Sequence, residues 1–417
     1  MKPIDRRLFL DRFLNYVKFD TQSSEESETY PSTEKQKELG RHLVKELKEL
    51  GLQDVEMDEH GYVFATLPSN VDYDVPVIGL ISHMDTSPEV SGANVHPVIH
   101  ENYQGQDIVL PNDPEQVIKF DQNPELKHCI GKDIITTDGT TLLGADDKAG
   151  IAEIMGTLQY LIENPEIKHG TIRVAFTVDE EVGTGTKYFD VKKFGADYAY
   201  TIDGESLGEI EDETFCADTA YVTIKGVNVH PGYAKGKMIN GIKIGAELIE
   251  RLPKDTMSPE TTEGREGYLH PHAFKGSVEL TEITFLVRDF TVEGLEEKEK
   301  FLQNLCDELS QKYAPASVEL RIEESYRNMK YKIDEDPKVV EYAIEAVKRA
   351  GIEPRHSLIR GGTDGSRLSF MGLLTPNIFT GGHNFHSKKE WICIYDMEKA
   401  VETLVNLLQI WAEKSKK

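Results

Sequence analysis

Apolar runs that alternate with helical patterns are the feature of this 417-residue chain that most restricts its fold. The segments VPVIGLISHMD, TIRVAFTVDEE and ADYAYTID are almost continuously apolar until their last residues. Between the first and second of these segments, apolar residues recur at helical spacing from Ile151 to Leu161. Strands that are apolar on both faces and separated by helices are typical of a sheet covered by helices. We therefore expect an α/β domain with a mostly parallel sheet.

The pattern changes after about residue 210. From TAYVTIKGVNV to SVELRIEESY the segments read in order as β-α-β-β-α-β, which is the order of the ferredoxin-like unit. The α/β pattern resumes after this stretch with PKVVEYAIEAVKRAG. We predict one α/β domain built from residues 1–210 and 326–417, interrupted by an inserted α+β ferredoxin-like domain at 211–325.

Charge and cysteine usage argue against several kinds of partner. Lys and Arg total 47 against 73 Asp and Glu, and the formal charge of −26 opposes binding to nucleic acid or to an anionic membrane. Charges interrupt the apolar N-terminal segment, and no run of about 18 apolar residues occurs, so we expect neither a signal peptide nor a membrane span. The four cysteines include no CxxC pair, which predicts reduced thiols and a cytoplasmic protein.

Acidic and imidazole side chains follow the predicted strands at the points where the strands end. They are His83, Asp85, Asp179, Glu180, Glu181, Asp203, His383 and His386. The carboxyl ends of parallel strands meet at one edge of a sheet, where ligands bind. Two carboxylates about 4 Å apart repel by about 4 kcal/mol at an effective dielectric near 20, so such a cluster needs strongly raised pKa values or a multivalent cation. Mixed imidazole and carboxylate donors suit Zn²⁺ better than Ca²⁺ or Mg²⁺.

Two adjacent carboxylates, Asp146 and Asp147, stand at the start of the helix that runs through Ile151. One Asp at a helix start is explained by capping and by the helix dipole, which together contribute about 1 to 2 kcal/mol. The second Asp needs another reason. We expect Asp146 to face the metal cluster, and Asp147 to cap the helix or pack against it.

Six ordered motifs give the chain a resemblance to a known family. They are HMDT at 83–86, GADDKAG at 144–150, DEEVG at 179–183, TIDG at 201–204, RGGTDG at 360–365 and GHNFH at 382–386. In this order the motifs resemble the M20 family of zinc metallopeptidases, and within it the tripeptide aminopeptidases. The resemblance covers nearly the whole chain, including the inserted segment. It implies a hydrolase that acts on small peptides.

The resemblance implies a set of metal ligands. His83 and Asp203 would hold one zinc ion, Glu181 and His386 would hold the second, and Asp146 would bridge both. Co²⁺ or Mn²⁺ would be possible substitutes for the two Zn²⁺ ions of each subunit. Members of the family also have a cis peptide bond between the paired acids, which here are Asp146 and Asp147.

Two further residues receive catalytic roles from the resemblance. Glu180 would be the general base that takes a proton from water and delivers it to the leaving amine. Asp85 would orient the imidazole of His83 through its far nitrogen, which tunes the basicity of a metal ligand.

The expected substrate-binding residues come from both predicted domains, with His230 and Arg288 in the inserted segment and Arg360 after it. By resemblance, His230 would help to stabilise the tetrahedral intermediate, and the segment would act as a lid and join two chains into a homodimer. Arg288 and Arg360 resemble groups that bind the C-terminal carboxylate of the peptide, which a guanidinium matches with two hydrogen bonds. A structural ion pair remains the alternative for each arginine.

Two other functions stay open from the sequence. Another M20 amidohydrolase, such as a dipeptidase or an N-acyl amino-acid deacylase, would share the metal ligands and differ in the residues that anchor the substrate. A metal- or peptide-binding protein without catalysis is disfavoured, because Glu180 and every expected ligand are present.

Overall fold

The computed structural model describes residues 2–416, which divide into two compact units. The larger unit comprises Met1–Asp212, Lys332–Ser357 and Thr363–Lys417, and the smaller unit comprises Glu213–Tyr331 and Leu358–Gly362. The smaller unit therefore extends beyond the 211–325 segment expected from the sequence. The expected boundaries of 1–210, 211–325 and 326–417 stay a prediction about where folding domains end.

The helices and strands follow one another along the described residues. The α-helices are α1 (Arg7–Tyr16), α2 (Gln36–Glu49), α3 (Ala145–Glu163), α4 (Val191–Phe194), α5 (Gly241–Glu250), α6 (Val292–Lys312), α7 (Lys330–Ile333), α8 (Lys338–Arg349), α9 (Asp364–Phe370) and α10 (Ile394–Ser415). The strands are β1 (Gln53–Met57), β2 (Val63–Leu67), β3 (Ile78–His83), β4 (Val98–His100), β5 (Ile108–Val109), β6 (Val117–Ile118), β7 (Ile134–Thr136), β8 (Ile172–Thr177), β9 (Tyr198–Gly204), β10 (Glu209–Thr214), β11 (Cys216–Lys225), β12 (Tyr268–Gly276), β13 (Leu280–Asp289), β14 (Ser317–Tyr326), β15 (Arg355–Ile359), β16 (Asn377–Phe379), β17 (Gly382–His383) and β18 (Trp391–Cys393).

An eight-stranded mixed sheet forms the centre of the larger unit, in the order β1-β2-β8-β3-β9-β16-β10-β15. The middle strands β8, β3, β9 and β16 run parallel. The β1–β2 and β2–β8 pairs and the β10–β16 pair are antiparallel. All six residues of β3 are buried, as expected of a strand covered on both faces. The α/β class is confirmed, with the parallel strands confined to the middle of the sheet.

Helix α3 carries the paired acids into the core of the larger unit. It packs on β3 and β9 and against α1 and α10. Its apolar stripe of Ile151, Ile154, Met155 and Leu158 is fully buried, which is why this part of the sequence forms a central helix.

The smaller unit has a four-stranded sheet in the order β12-β13-β11-β14, with every neighbouring pair antiparallel. Helices α5 and α6 pack on the sheet, and side chains such as Ile244, Leu302 and Phe285 fill the core between them. The order of strands and helices along the chain and the order of strands in the sheet are those of a ferredoxin-like unit, as predicted.

A segment between β3 and α3 has short strands and a core of its own. The strands β4 to β7 contain two or three residues each, and Pro124–Cys129 forms a 3-10 helix. The small core contains Tyr103, Ile108, Leu110, Ile118, Leu126, Cys129, Ile134, Trp391 and Cys393. The segment is thus packed against the start of α10 by apolar side chains. No helix within residues 2–416 is both long enough and apolar enough to cross a bilayer.

Candidate metal centre

Adjacent parallel strands bring the acidic and imidazole side chains to one edge of the larger sheet. His83 is the last residue of β3, and Asp203 is next to last in β9, which pairs with β3. Glu180 and Glu181 follow the end of β8, the other neighbour of β3. This is the sheet edge at which ligands bind in open α/β folds.

Two imidazoles stand on either side of one carboxylate. Nε2 of His83 lies 2.9 Å from Oδ1 of Asp146, and Nε2 of His386 lies 3.2 Å from Oδ2 of the same residue. Asp203 reaches His83 with an Oδ1–Nε2 distance of 3.4 Å, and Glu181 reaches His386 with an Oε2–Nε2 distance of 2.9 Å. Each imidazole therefore has one carboxylate of its own, and the two share Asp146.

Burial perturbs the carboxyl groups of this cluster. Burial raises the pKa of Glu181 to about 8 and that of Asp203 to about 7, with the charge of Asp146 adding to both shifts. Hydrogen bonds from His386 and His83 overcome burial at Asp146 and hold its pKa below the ordinary value. The electrostatic strain expected from the sequence is therefore present in the folded chain.

The donor set fits two divalent cations. Oε1 of Glu181 is buried and has no hydrogen-bond partner among the described residues, so a carboxylate oxygen is free to coordinate. His83 groups with Asp146 and Glu181, and also with Glu180 and Asp203, closely enough for an ion to be held by either set. The two sets share His83, so a second ion would need the other imidazole, His386, which lies within 3.2 Å of Asp146 and 2.9 Å of Glu181. Imidazole with carboxylate is a donor set that suits first-row divalent metals.

Glu180 lies close to the cluster and has a strongly perturbed carboxyl group. Its Oε2 is 4.0 Å from Nε2 of His83. Burial, aided by the charge of Asp203 and opposed by His83, raises the pKa of Glu180 well above the usual range. A carboxylate in this state holds a proton more tightly than an exposed glutamate does, which is useful in a general base.

Asp85 fixes the two glutamates and one imidazole at the same time. Its Oδ1 accepts the backbone N–H of Glu180 at 3.0 Å, and its Oδ2 accepts that of Glu181 at 3.1 Å. Nδ1 of His83 lies 3.0 Å from the Asp85 carbonyl oxygen and 3.3 Å from its Oδ1. The side chain is fully buried, so these contacts position the groups without competition from water.

Asp147 does not cap α3. The N-cap residue is Gly144, no side chain caps the helix there, and the φ/ψ values of Asp146 and Asp147 are not helical. Asp147 is fully buried, and its Oδ2 accepts the backbone N–H of His83 at 3.1 Å. The packing alternative is therefore correct and the capping alternative is wrong. The peptide bond between the two acids is cis.

Glu390 is a functional residue that the sequence did not reveal. It is 1% exposed, its Oε2 accepts the N–H groups of Leu143 and Gly144 at 2.7 and 2.8 Å, and its Oε1 accepts that of Asp146 at 3.0 Å. Glu390 therefore holds the turn that presents Asp146. The only signal was an acid directly before the apolar strand β18, and its partners lie 244 to 247 residues away.

The predicted substrate-binding residues lie in the smaller unit. Nδ1 of the exposed His230 accepts the N–H of Gly232 at 3.1 Å. Arg288 donates through Nη1 to the carbonyls of Asp218 and Val287. Their roles toward a substrate stay predictions.

Arg360 holds a loop of the smaller unit. Its guanidinium donates to the carbonyl oxygens of Gly264 and Glu266 at 2.7 and 2.8 Å and to the hydroxyl of Thr262 at 3.0 Å. These contacts explain why Leu358–Gly362 belongs to the smaller unit. They give Arg360 a structural role, while its binding of a carboxylate stays a prediction.

Comparison with known sequences decides the family. The profile of peptidase family M20/M25/M40 matches residues 138–410. Peptidase T of Clostridium acetobutylicum and Peptidase T of Caldanaerobacter subterraneus subsp. tengcongensis are each 53% identical over 405 residues, covering 97% of this chain and 99% of the relative. The chain belongs to peptidase family M20.

Solved structures agree with this M20 assignment. Aminopeptidase PepT from Bacillus cereus aligns with a TM-score of 0.76 and 25% identity, over 98% of this chain and 99% of that one. A tripeptidase from Staphylococcus aureus aligns with a TM-score of 0.77 and 24% identity, over 98% and 99% of the two chains, which supports the fold alone. The family resemblance drawn from the six motifs is confirmed.

Proposed function

We propose that this M20 peptidase is a two-metal aminopeptidase that releases the N-terminal residue from tripeptides. The observation that carries the proposal is the placement of Asp146 between His83 and His386, each of which has a further carboxylate of its own. The relatives named Peptidase T, and the aminopeptidase among the solved structures, favour peptides as the substrates.

His83 and Asp203 would hold one ion, Glu181 and His386 the second, and Asp146 both. We propose Zn²⁺ as the ion, with Co²⁺ or Mn²⁺ as substitutes, because imidazole and carboxylate donors suit all three. When bound, the two cations would supply Lewis acidity and bring the pKa of water toward neutrality.

The chain's own residues account for the proton transfers. Glu180 would take a proton from the attacking water as the water adds to the first peptide carbonyl. It would then give that proton to the nitrogen of the leaving amine, so no proton is left on the enzyme after the cycle. Asp85 keeps Glu180 in place through the backbone N–H of that residue. The raised pKa of Glu180 makes its carboxylate a stronger base for the uptake of the proton.

The remaining assignments rest on the family resemblance. We propose that Arg288 and Arg360 bind the C-terminal carboxylate of the peptide, and that His230 stabilises the oxyanion of the intermediate. A fixed anchor at the far end of the substrate would select for length, which would produce a tripeptide preference.

We also propose a homodimer formed through the smaller unit and a cytoplasmic location. Ile242 and Phe274 meet beside Gly276 and are about two-fifths exposed, which supports an apolar contact surface there. The four cysteines are free thiols, as is usual in a reducing compartment. The mass of the particle in solution, measured by light scattering, tests the dimer.

A substrate panel with one pair of variants tests the function. Metal-replete protein should hydrolyse tripeptides faster than dipeptides, tetrapeptides or N-acyl amino acids, and removal of metal should abolish the activity. Glu180→Gln should lower kcat by about 10²- to 10⁴-fold while metal content is kept, whereas Glu163→Gln, at the exposed end of α3, should behave as the wild type. Activity confined to N-acyl amino acids, or turnover that survives metal removal, would contradict the proposal.

A further inference from the structure

A second set of metal-binding donors lies where the segment before α3 packs against the start of α10. Nε2 of His128 is 2.8 Å from Oδ2 of Asp396 and 3.6 Å from Sγ of Cys129. One donor atom from each of the three residues lies within 4.8 Å of the others. None of the three belongs to the proposed M20 metal centre, and all of them lie in the larger unit.

Distances between the donors agree with one shared ion. A tetrahedral Zn²⁺ with a nitrogen at about 2.0 Å and a sulfur at about 2.3 Å separates the two by about 3.5 Å. The imidazole–thiol distance of 3.6 Å between His128 and Cys129 is close to this value. The 2.8 Å between His128 Nε2 and Asp396 Oδ2 is a hydrogen-bond distance, and the two atoms would move apart to about 3.3 Å to share a tetrahedral ion.

An unpartnered oxygen points to a missing cation at this place. Asp396 is fully buried, and its Oδ1 has no hydrogen-bond partner among the described residues. Buried carboxylates are normally paired or bound to metal, so this Oδ1 is available to a cation.

The thiols complete the donor set. Cys129 and Cys393 are both fully buried, and they are in side-chain contact with each other. A divalent cation would be neutralised by one thiolate, one carboxylate and a neutral imidazole, and the contact between Cys129 and Cys393 makes Cys393 a candidate for the fourth donor. The contact with Cys393, together with burial, raises the pKa of the Cys129 thiol, so a thiolate is expected there only with a cation bound.

The position of these donors gives the ion a structural purpose. The segment from β4 to β7 has strands of only two or three residues and a small core, and such a segment gains stability from a metal or another cross-link. Cys129 ends the 3-10 helix of that segment, and Asp396 lies in the first turn of α10. An ion held between them would tie the two together.

We propose that His128, Cys129 and Asp396, with Cys393 as the fourth donor, form a structural site for Zn²⁺ or a similar thiophilic divalent ion. The site is separate from the M20 metal centre and does not depend on the proposed peptidase activity.

Cobalt substitution tests this site without interference from the M20 metal centre. The proposed ligands of that centre include no cysteine, so thiolate-to-cobalt charge-transfer absorption in the near ultraviolet can come only from a cysteine site. Wild-type protein loaded with Co²⁺ should show this absorption and should bind one more ion per chain than Cys129→Ser, which should lack the absorption. Cys306→Ser, which removes a buried thiol of the smaller unit, should keep both the absorption and the extra ion.

Two further measurements keep the test decisive. His128→Asn should also lose the absorption and the extra ion, which covers the case in which the serine variant does not fold. Wild-type protein that binds Co²⁺ without thiolate absorption would overturn the proposal. So would a Cys129–Cys393 disulfide in the chain as purified, detected as two missing thiols after unfolding. Activity of the Cys129→Ser variant reports separately on the M20 metal centre.

Discussion

Replacing the carboxylate of Asp85 by an amide should misplace the proposed general base, Glu180, and one proposed metal ligand, Glu181, together. Each carboxylate oxygen accepts one backbone N–H, from Glu180 and from Glu181. In Asp85→Asn only one of the two atoms remains an acceptor, and the other becomes an NH₂ group that faces an N–H donor. A hydrogen bond to a charged group contributes about 1.5 to 3 kcal/mol. If that free energy serves to position the site, kcat/KM should fall by about 10- to 150-fold.

The assay is kcat/KM on a tripeptide together with metal affinity, measured for Asp85→Asn and for a matched control. In the control, Asp58→Asn, the wild-type Oδ1 alone accepts the N–H groups of His60 and Tyr62, so an asparagine can keep both bonds. We expect the control to retain activity. Asp85→Asn within threefold of the wild type in both measurements would refute the positioning argument.

The other predictions concern the remaining buried polar groups near the M20 metal centre. Asp146→Asn should lower metal occupancy far more than Asp147→Asn, because Asp146 contacts both imidazoles, whereas Asp147 accepts the backbone N–H of His83; elemental analysis compares them. Glu390→Gln should weaken metal binding, because one N–H of the turn that presents Asp146 loses its acceptor; metal titration measures the change. Burial lowers the pKa of His383 to about 3, below the unfolded value near 6.5, so the unfolded chain takes up the proton first as pH falls. Between pH 6.5 and pH 5 the wild type should therefore lose about 1.6 kcal/mol of unfolding free energy more than His383→Phe does, measured by urea denaturation.

The positions of the proposed ligands at the strand ends could be predicted from the sequence because the sheet fixes their place. A strand that is buried on both faces is recognisable as an apolar run, and parallel neighbours end at the same edge. His83, Glu181 and Asp203 follow directly from that rule. The rule predicts the sheet edge at which these side chains meet, but it does not predict that they bind ions. The ions were predicted from the resemblance of the motifs to the M20 family.

The supporting residues could not be predicted in the same way. Asp147 and Glu390 act through backbone N–H groups that lie 64 and more than 240 residues away along the chain. Which N–H groups a buried carboxylate meets depends on the turn at Gly144, not on local periodicity. The capping interpretation of Asp147 failed for this reason, since a helix start was assumed where the backbone at that residue is not helical.

Glu181, Asp203, Asp147 and Glu390 share one physical condition: burial raises the pKa of each carboxyl group. Raised pKa values mean that the folded chain resists the ionised state that coordination requires. The chain reduces this cost unevenly, since Asp147 and Glu390 receive backbone N–H groups, whereas Oε1 of Glu181 has no hydrogen-bond partner among the described residues. Both oxygens of Glu390 accept backbone N–H groups, whereas Asp147 does so only at Oδ2 and, like Glu181, keeps one buried oxygen without a partner among the described residues. Hydrogen bonding therefore distinguishes Glu390, which holds the turn before Asp146, from Glu181, which we propose binds an ion.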